Sequence, residues 1–212
     1  MFLIETRSKE NRIFHGISNL SNAINSLPDS NSYLGEVVTI LTDMFGAERA
    51  AILLQDDTSN ESLSVAATRN FNPEEVQQFT KGALKNLLVS AIENKRPLII
   101  ANTDKDQDPI QAPSYNLPVK SFACIPLIMD GRVIGVIYTD NRLLEGIFSK
   151  KDLVIMTAIA SQVALSLKAT TLHRELKDLR ENMRQSDFHQ AAISGNRDFP
   201  QIIGKSGAIR RV

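Results

Sequence analysis

The feature that most restricts the fold is a predicted β-hairpin of two apolar strands between Ser121 and Asp140. Asp130-Gly131 separates the two strands, and this dipeptide supplies the positive φ angles of a type I′ turn. Both faces of the hairpin are apolar, whereas a strand covered on one side only would alternate polar and apolar residues. We therefore expect helices, or a closed pocket, on both sides of the sheet.

The turn also predicts how the two strands pair. Counting outward from it, Cys124 faces Ile137 and Pro126 faces Gly135. A proline opposite a glycine makes a weak rung, so we expect a local bulge there. In this register Cys124 and Asp140 lie on opposite faces, unless the bulge reverses the alternation.

Composition limits the class of protein. The 212 residues are enough for one domain with long helical extensions, and 24 basic residues balance 24 acidic ones, so we predict no nucleic-acid binding by this segment. The single cysteine excludes an internal disulfide bond. The charged N-terminus does not resemble a signal peptide, and no apolar run approaches the roughly 20 residues of a membrane span. We expect a cytoplasmic chain with no membrane partner.

Helices are predicted before and after the first strands. A helix from about Asn11 to Leu27 has a coiled-coil seam formed by Ile13, Ile17, Leu20 and Ile24. The remaining predictions are a helix at 33–45, strands at 50–54 and 63–67, one helix at 73–94, a strand at 98–101 and a polar loop at 102–120.

A long helix follows the hairpin. Ser149 and Asp152 have the spacing of a capping box at its start. Its second apolar stripe has heptad spacing and consists of Leu165, Leu172, Leu176, Leu179 and Met183. We expect this stripe to pack against the same helix of a second copy, in a parallel or an antiparallel homodimer. Beyond Gln185 the sequence becomes polar, which predicts a linker.

The order of these elements and three motifs resemble a GAF domain. The motifs are Cys124-Ile125-Pro126-Leu127, the run Gly131 to Tyr138 and the run Phe148 to Leu153, and the match covers about 30–172. The resemblance implies an α+β fold with a central antiparallel sheet of five or six strands, helices packed on it, and long N- and C-terminal dimerisation helices. Members of this family bind cyclic nucleotides, tetrapyrroles, small acids or metal, and some only dimerise.

The last residues resemble a second family. Ile202-Ile203-Gly204-Lys205-Ser206-Gly207-Ala208-Ile209 is similar to the opening of the AAA+ domain of sigma-54-dependent activators. The resulting division is an N-terminal helix at 1–29, a GAF sensor at 30–172, a helix extension at 173–185, a linker at 186–200 and a truncated AAA+ start at 201–212. Phe199 replaces the first glycine of a P-loop, so this segment is expected not to be an enzyme.

The resemblance to sigma-54-dependent activators also implies partners. In the longer protein, the missing AAA+ domain would bind ATP and magnesium and act on sigma-54 RNA polymerase, and a further domain would bind enhancer DNA. The GAF sensor would control that ATPase through the dimer helices.

A small-molecule effector, if one exists, is expected between the sheet and the 102–120 loop. The polar residues placed nearest such a pocket are Tyr115, Lys120, Asp140 and Arg142. The alternative is a ligand-free dimerisation and relay module that a partner protein controls.

Two further alternatives come from the resemblance. Nitric-oxide-responsive relatives imply a non-haem iron site at Asp106, Asp108, Cys124 and Asp140, although Phe122 stands where a histidine is expected. Cys124 as a small core residue is the simpler interpretation. The second alternative is a cyclic-nucleotide sensor, because Asn141-Arg142, Phe148 and Asp152 resemble a signature of cyclic-nucleotide GAF domains. That resemblance implies an ion pair between Arg142 and Asp152, which could form without a nucleotide.

Overall fold

The computed structural model of this chain describes residues 2–26, 30–56, 59–79, 81–103 and 119–195. The elements are α1 (Phe2–Ser26), α2 (Ser30–Phe45), β1 (Arg49–Asp56), β2 (Ser59–Arg69), α3 (Pro73–Gln78), α4 (Gly82–Asn94), β3 (Leu98–Ile100), β4 (Ser121–Met129), β5 (Arg132–Asn141) and α5 (Lys150–Gly195). The strands form one antiparallel sheet in the order β2-β1-β5-β4-β3. This arrangement confirms the predicted α+β fold class.

The chain divides into two compact units. The first, Met1–Lys168, contains the sheet, α1 to α4 and the first part of α5. The second, Ala169–Val212, contains the rest of α5.

Helix starts follow the predicted capping chemistry. Ser149 and Asp152 form the expected box, since Asp152 Oδ2 accepts from the Ser149 amide at 2.8 Å and the Asp152 amide donates to Ser149 Oγ at 3.4 Å.

The continuous helix predicted at 73–94 is wrong, because it is divided into α3 and α4. Lys81 before α4 is extended, with φ −140° and ψ 151°.

The hairpin turn is confirmed, but the pairing beyond it is shifted. Asp130 and Gly131 have φ 50° and 76°. After the first two rungs Ile134 is an extra residue, so that Leu127 pairs with Gly135. The bulge therefore lies on β5 at Ile134, one residue closer to the turn than the predicted rung of Pro126 and Gly135.

This shift corrects the predicted faces of the hairpin. Cys124 pairs with Tyr138 instead of Ile137, and Phe122 pairs with Asp140. Because paired residues of antiparallel strands share a face, Cys124 and Asp140 lie on the same side of the sheet. The extra residue reverses the alternation that the simple register predicted.

Both faces of the sheet are covered, as the apolar hairpin predicted. One face carries Ala50, Ile52, Ala123, Ile125 and Ile137, which pack with α1, α2 and the start of α5. The other carries Ala51, Leu53, Phe122, Cys124, Val136 and Tyr138, which pack with Phe79, Leu84, Leu87 and Leu88 beside and within α4. We call this second side the α4 face.

The seam predicted on α1 is divided between core and surface. Leu20 is 4% exposed and belongs to the chain's own core, and Ile13 packs partly against that core. Ile17 is 47% exposed, while the side chain of Ile24 lies outside the described residues. The structure therefore corrects the assignment of Leu20 to a dimer seam, because α1 packs on α2 through this side.

Helix α5 extends further than predicted. It reaches Gly195, ten residues into the segment assigned to a linker at 186–200.

By length and composition alone, the Lys150–Arg184 part of α5 could cross a membrane. This is weak evidence, since core helices of soluble proteins pass the same test. Met156 and Val163 of this part are buried in the core of the first unit.

Candidate functional site

A buried ion pair lies at the edge of the α4 face. Arg49 begins β1 and Asp140 lies near the end of β5, and the two residues are directly paired across the sheet. Arg49 Nε donates to Asp140 Oδ1 at 2.8 Å and Nη2 donates to Oδ2 at 2.6 Å. The antiparallel register of β1 and β5 thus builds a bidentate guanidinium–carboxylate contact.

The rest of the Arg49 guanidinium contacts the segment that leads into helix α3. Its Nη1 donates to Glu75 Oε1 at 2.8 Å, and its central carbon lies 4.5 Å from the centre of the Phe71 ring. Glu75 is fixed by a capping box with Asn72, in which Glu75 Oε2 accepts from the Asn72 amide at 2.9 Å. Arg49 therefore ties the sheet to the beginning of α3.

Burial and the contact between Arg49 and Asp140 have opposite effects on the pKa of each group. The Asp140 side chain is 0% exposed and that of Arg49 is 7% exposed. Burial raises the pKa of Asp140, while hydrogen bonds from Arg49 and Tyr138 oppose the rise. Burial favours the neutral form of Arg49, but the carboxylate of Asp140 outweighs it and raises the pKa of Arg49.

A second arginine extends the network towards solvent. Arg142 Nε donates to Glu48 Oε1 at 2.7 Å, and the Arg142 amide donates to Glu48 Oε2 at 2.9 Å. These hydrogen bonds lower the pKa of Glu48. Arg142 Nη1 lies 3.4 Å from Glu75 Oε1, so Glu75 bridges both arginines. We call Glu48, Arg49, Glu75, Asp140 and Arg142 the charged clasp.

The predicted ion pair between Arg142 and Asp152 is wrong. Glu48 immediately precedes β1, and its amide donates to the Asp140 carbonyl at 2.9 Å, so its carboxylate lies beside Arg142. Asp152 instead accepts from Lys9 Nζ of α1 at 2.8 Å. The acid at the start of α5 is thus paired with the N-terminal helix.

Aromatic rings fill the α4 face next to the clasp. The Phe79 ring centre lies 5.0 Å from that of Phe71 and 5.7 Å from that of Tyr138, and Tyr138 is 6.4 Å from Phe122. Phe79, Tyr138 and Phe122 are at most 1% exposed. Burial raises the pKa of the Tyr138 hydroxyl, which hydrogen-bonds to Asp140.

Cys124 lies inside this packed layer. It is 0% exposed, and burial raises the pKa of its thiol well above the ordinary range. Metal ligation requires the thiolate, which burial disfavours here. Among the residues that the structure describes, no three His, Cys, Asp or Glu side chains gather as a metal site would require. Asp106 and Asp108 lie outside the described residues.

The structure brings some of the predicted ligand residues together. Asp140 and Arg142 both belong to the charged clasp and are linked through Glu75. The Lys120 amide donates to the Asn141 carbonyl at 2.9 Å, which places the backbone of Lys120 beside the end of β5. Tyr115 lies outside the described residues.

Sequence reasoning did not identify three of the five clasp residues. Arg49 lies 91 positions from Asp140, and only the pairing of β1 with β5 brings them together. Glu75 was assigned to the first turn of a helix, where its interaction with the macrodipole explained it. Glu48 precedes a strand and has no local pattern. The available signal was one charged residue, Arg49, directly before five apolar residues of a strand.

A separate surface groove lies where α4 ends and β3 begins. Its volume is about 650 Å³, and it is lined by Ser90, Ala91, Glu93, Asn94, Arg96, Pro97 and Leu98. The residues of the charged clasp do not line this groove. We therefore take the clasp and the α4 face as the candidate functional site.

This chain is similar to solved structures of GAF domains, of a chemotaxis protein and of free methionine-R-sulfoxide reductases. The GAF domain of a phosphoenolpyruvate-protein phosphotransferase from Coxiella burnetii is 18% identical with a TM-score of 0.60, covering 77% of this chain and 97% of that one. Residues 122 to 287 of a methyl-accepting chemotaxis protein are 23% identical with a TM-score of 0.56, covering 72% and 97%. At these identities the likeness shows the fold.

Two further similarities are to a reductase and to a kinase. The free methionine-R-sulfoxide reductase of Neisseria meningitidis, solved with its substrate, is 18% identical with a TM-score of 0.57, covering 73% of this chain and 87% of that one. The hybrid signal transduction histidine kinase G of Dictyostelium discoideum is 30% identical over 84 residues, which is 39% of this chain and 2% of that protein. This chain thus corresponds to a small part of that kinase.

The sequence profile of the GAF domain family matches residues 29–167. The matched region begins just before α2 and ends within α5, so it contains the whole sheet, both of its covered faces and the charged clasp. The chain belongs to the GAF domain family.

Proposed function

We propose that this chain is the regulatory GAF module of a longer signalling protein and that it acts through helix α5. The observation that carries the proposal is the continuity of α5, which begins inside the GAF region, passes its last matched residue at 167 and continues to Gly195. A change in the packing of the first unit would therefore reach the later part of the same helix.

In this proposal the module acts as a homodimer through the later part of α5. The later part of α5 carries leucines that are about half exposed, for example Leu172 at 48% and Leu176 at 54%. Large apolar side chains at heptad spacing are typical of a helix that packs against a partner helix. A second copy of the same chain supplies the matching helix, because two-fold homodimers are the commonest assemblies.

The specific context proposed is a sigma-54-dependent transcriptional activator. The support is the similarity of 202–209 to the opening of the AAA+ domain in that family, in a part of the chain outside the described residues. In the longer protein the ATPase would use ATP and magnesium, contact sigma-54 polymerase and work with enhancer DNA. With these partners the protein would act in the cytoplasm.

Two modes of control have support from different residues. The close packing of Phe79, Phe122 and Tyr138 on the α4 face favours the relay mode, in which a partner protein supplies the signal. The small-molecule mode has its polar groups in the clasp, at Asp140 and Arg142. We favour the relay mode, because a ligand on the α4 face would have to displace buried side chains.

No catalytic role is assigned to this segment. Cys124 is its one cysteine, and burial disfavours the thiolate that nucleophilic or redox catalysis requires. The buried thiol supports a regulatory role for this segment over thiol-based catalysis.

The proposal predicts that substitutions on the exposed stripe of α5 uncouple regulation. In the longer protein, Leu176→Glu should remove signal-dependent control of ATP hydrolysis, since it places a charge between the dimer helices. Lys177→Glu is the matched control, because the neighbouring residue points away from the stripe and should preserve control.

Equal regulation in both variants would contradict the role of α5. A longer protein without ATP hydrolysis or sigma-54-dependent transcription would contradict the activator context and leave the GAF module in place.

A further inference from the structure

Four exposed apolar residues follow one another along the second unit of the chain. Leu172, Leu176, Leu179 and Met183 are 48%, 54%, 58% and 67% exposed. Their spacing of four, three and four residues is that of successive d and a positions in a heptad repeat. We call these four residues the α5 stripe.

Charged residues on the side of the helix opposite the stripe can pair with one another, whereas those next to the stripe cannot. Arg174 with Asp178 and Lys177 with Glu181 are opposite charges four residues apart, which pair along one helix. Both pairs occupy the positions of the heptad that face away from the stripe. The outer side of the helix is thus electrostatically balanced by itself.

Glu175 and Arg180 flank the stripe at the g and e positions. Neither residue has an opposite charge three or four positions away in the sequence. Arg180 instead has Lys177 and Arg184 at those spacings, so its own helix offers it only like charges. Its own helix therefore offers Arg180 no opposite charge at the spacings that pair along a helix.

We infer that the α5 stripe binds a second copy of this chain in a parallel, in-register coiled coil in which Glu175 of each copy pairs with Arg180 of the other. This inference rests on the proposed homodimer and adds its orientation. In a parallel dimer a g residue lies next to the e residue five positions later on the partner, and 175 and 180 have that spacing.

An antiparallel dimer does not satisfy the same charges. The antiparallel alignment that buries all four stripe residues places Leu176 against Leu179 of the other copy. In that alignment, e positions meet e positions, so Arg180 lies beside His173, and g positions meet g positions, so Glu175 lies beside Asn182. Both orientations bury the stripe, and charge complementarity selects the parallel one.

Cysteine cross-linking of the full chain tests the orientation. Leu179→Cys should form a disulfide-linked dimer under mild oxidation, because a parallel in-register pair places each 179 opposite its copy. Lys177→Cys, on the outer side, is the matched control and should remain unlinked. The wild-type chain should also remain unlinked, since its one cysteine, Cys124, is 0% exposed.

Mixing separately prepared Leu176→Cys and Leu179→Cys chains tests the opposite orientation. A dimer that cross-links in this mixture, but not in Leu179→Cys alone, would overturn the parallel arrangement while leaving the homodimer intact. A chain that stays monomeric in sedimentation equilibrium would instead contradict the homodimer on which the inference rests.

Charge reversal tests the proposed ion pairs independently. Glu175→Arg alone and Arg180→Glu alone should each weaken the dimer by about tenfold in Kd, because each places like charges at two symmetric contacts. The double variant should return close to the wild-type Kd. The exchange Lys177→Glu with Glu181→Lys, on the outer side, should leave Kd unchanged, and a double variant as weak as the singles would overturn the pairing.

Discussion

All three nitrogens and the flat surface of the Arg49 guanidinium make contacts within the chain. Two nitrogens bind Asp140, the third binds Glu75, and the flat surface lies over Phe71. A buried charge costs free energy unless such contacts replace its water shell. Arg49 therefore holds three elements together, and its loss would leave the Asp140 carboxylate buried without its counter-charge.

We expect Arg49→Met to lower the free energy of unfolding by about 3 kcal/mol near neutral pH, the usual cost of removing one partner of a buried pair. Burial would then act on Asp140 with less opposition, raising its pKa further above the ordinary value of 3.8. A carboxyl whose pKa is raised in the folded state contributes stability below its unfolded pKa and loses that contribution as pH rises through the folded value. The deficit should therefore shrink on acidification, as measured by urea unfolding at several pH values.

Two variants control this prediction. Arg49→Met with Asp140→Leu should recover most of the lost stability, because no unpaired charge remains buried. Arg142→Gln should have little effect, since this arginine is exposed and its ion pair is screened by water. An Arg49→Met chain that unfolds at the wild-type urea concentration would show that the buried pair is not what holds the clasp.

At the scale of single elements, local sequence predicted the hairpin turn and its first rungs. Asp130-Gly131 determines that geometry through its own backbone preferences. The bulge at Ile134 was not predictable in the same way, because β5 also pairs with β1 and a Cβ atom at position 135 would overlap the Leu53 carbonyl oxygen. The predicted 73–94 helix is also divided at a tertiary contact. Phe79 lies between the two shorter helices, is 0% exposed and packs against other aromatic rings.

Two glycine substitutions separate these effects. Gly135→Ala should destabilise the fold by about 2 kcal/mol, because the added methyl group meets the backbone of β1. Gly35→Ala in α2 should stabilise it by about 0.5–1 kcal/mol, since nothing lies within 4 Å of the added atom and alanine favours helix. Thermal unfolding of both variants measures the difference. A neutral Gly135→Ala substitution would mean that β1 and β5 are less closely packed than described.

At the scale of the whole molecule, sequence patterns identified the GAF region and the exposed stripe of α5. They did not identify the charged clasp as a whole, because its members come from three separate stretches of sequence that only the tertiary fold brings together. They also did not predict that Phe79, Phe122 and Tyr138 would fill the α4 face, since an apolar pattern is the same for a packed core and a pocket wall. The stripe could be predicted from sequence because heptad spacing is a local pattern.

A native mass spectrum of the full chain tests most directly the claim that this GAF module acts as a homodimer through α5. We predict a dimer of twice the 23.5 kDa chain mass. The double variant Leu172→Glu with Leu176→Glu should be a monomer, and its circular dichroism spectrum should show that the first unit is still folded. A dimer without additional mass would agree with relay control by a partner protein, and bound mass would identify the class of effector. A wild-type chain that remains monomeric at high micromolar concentration would contradict the account.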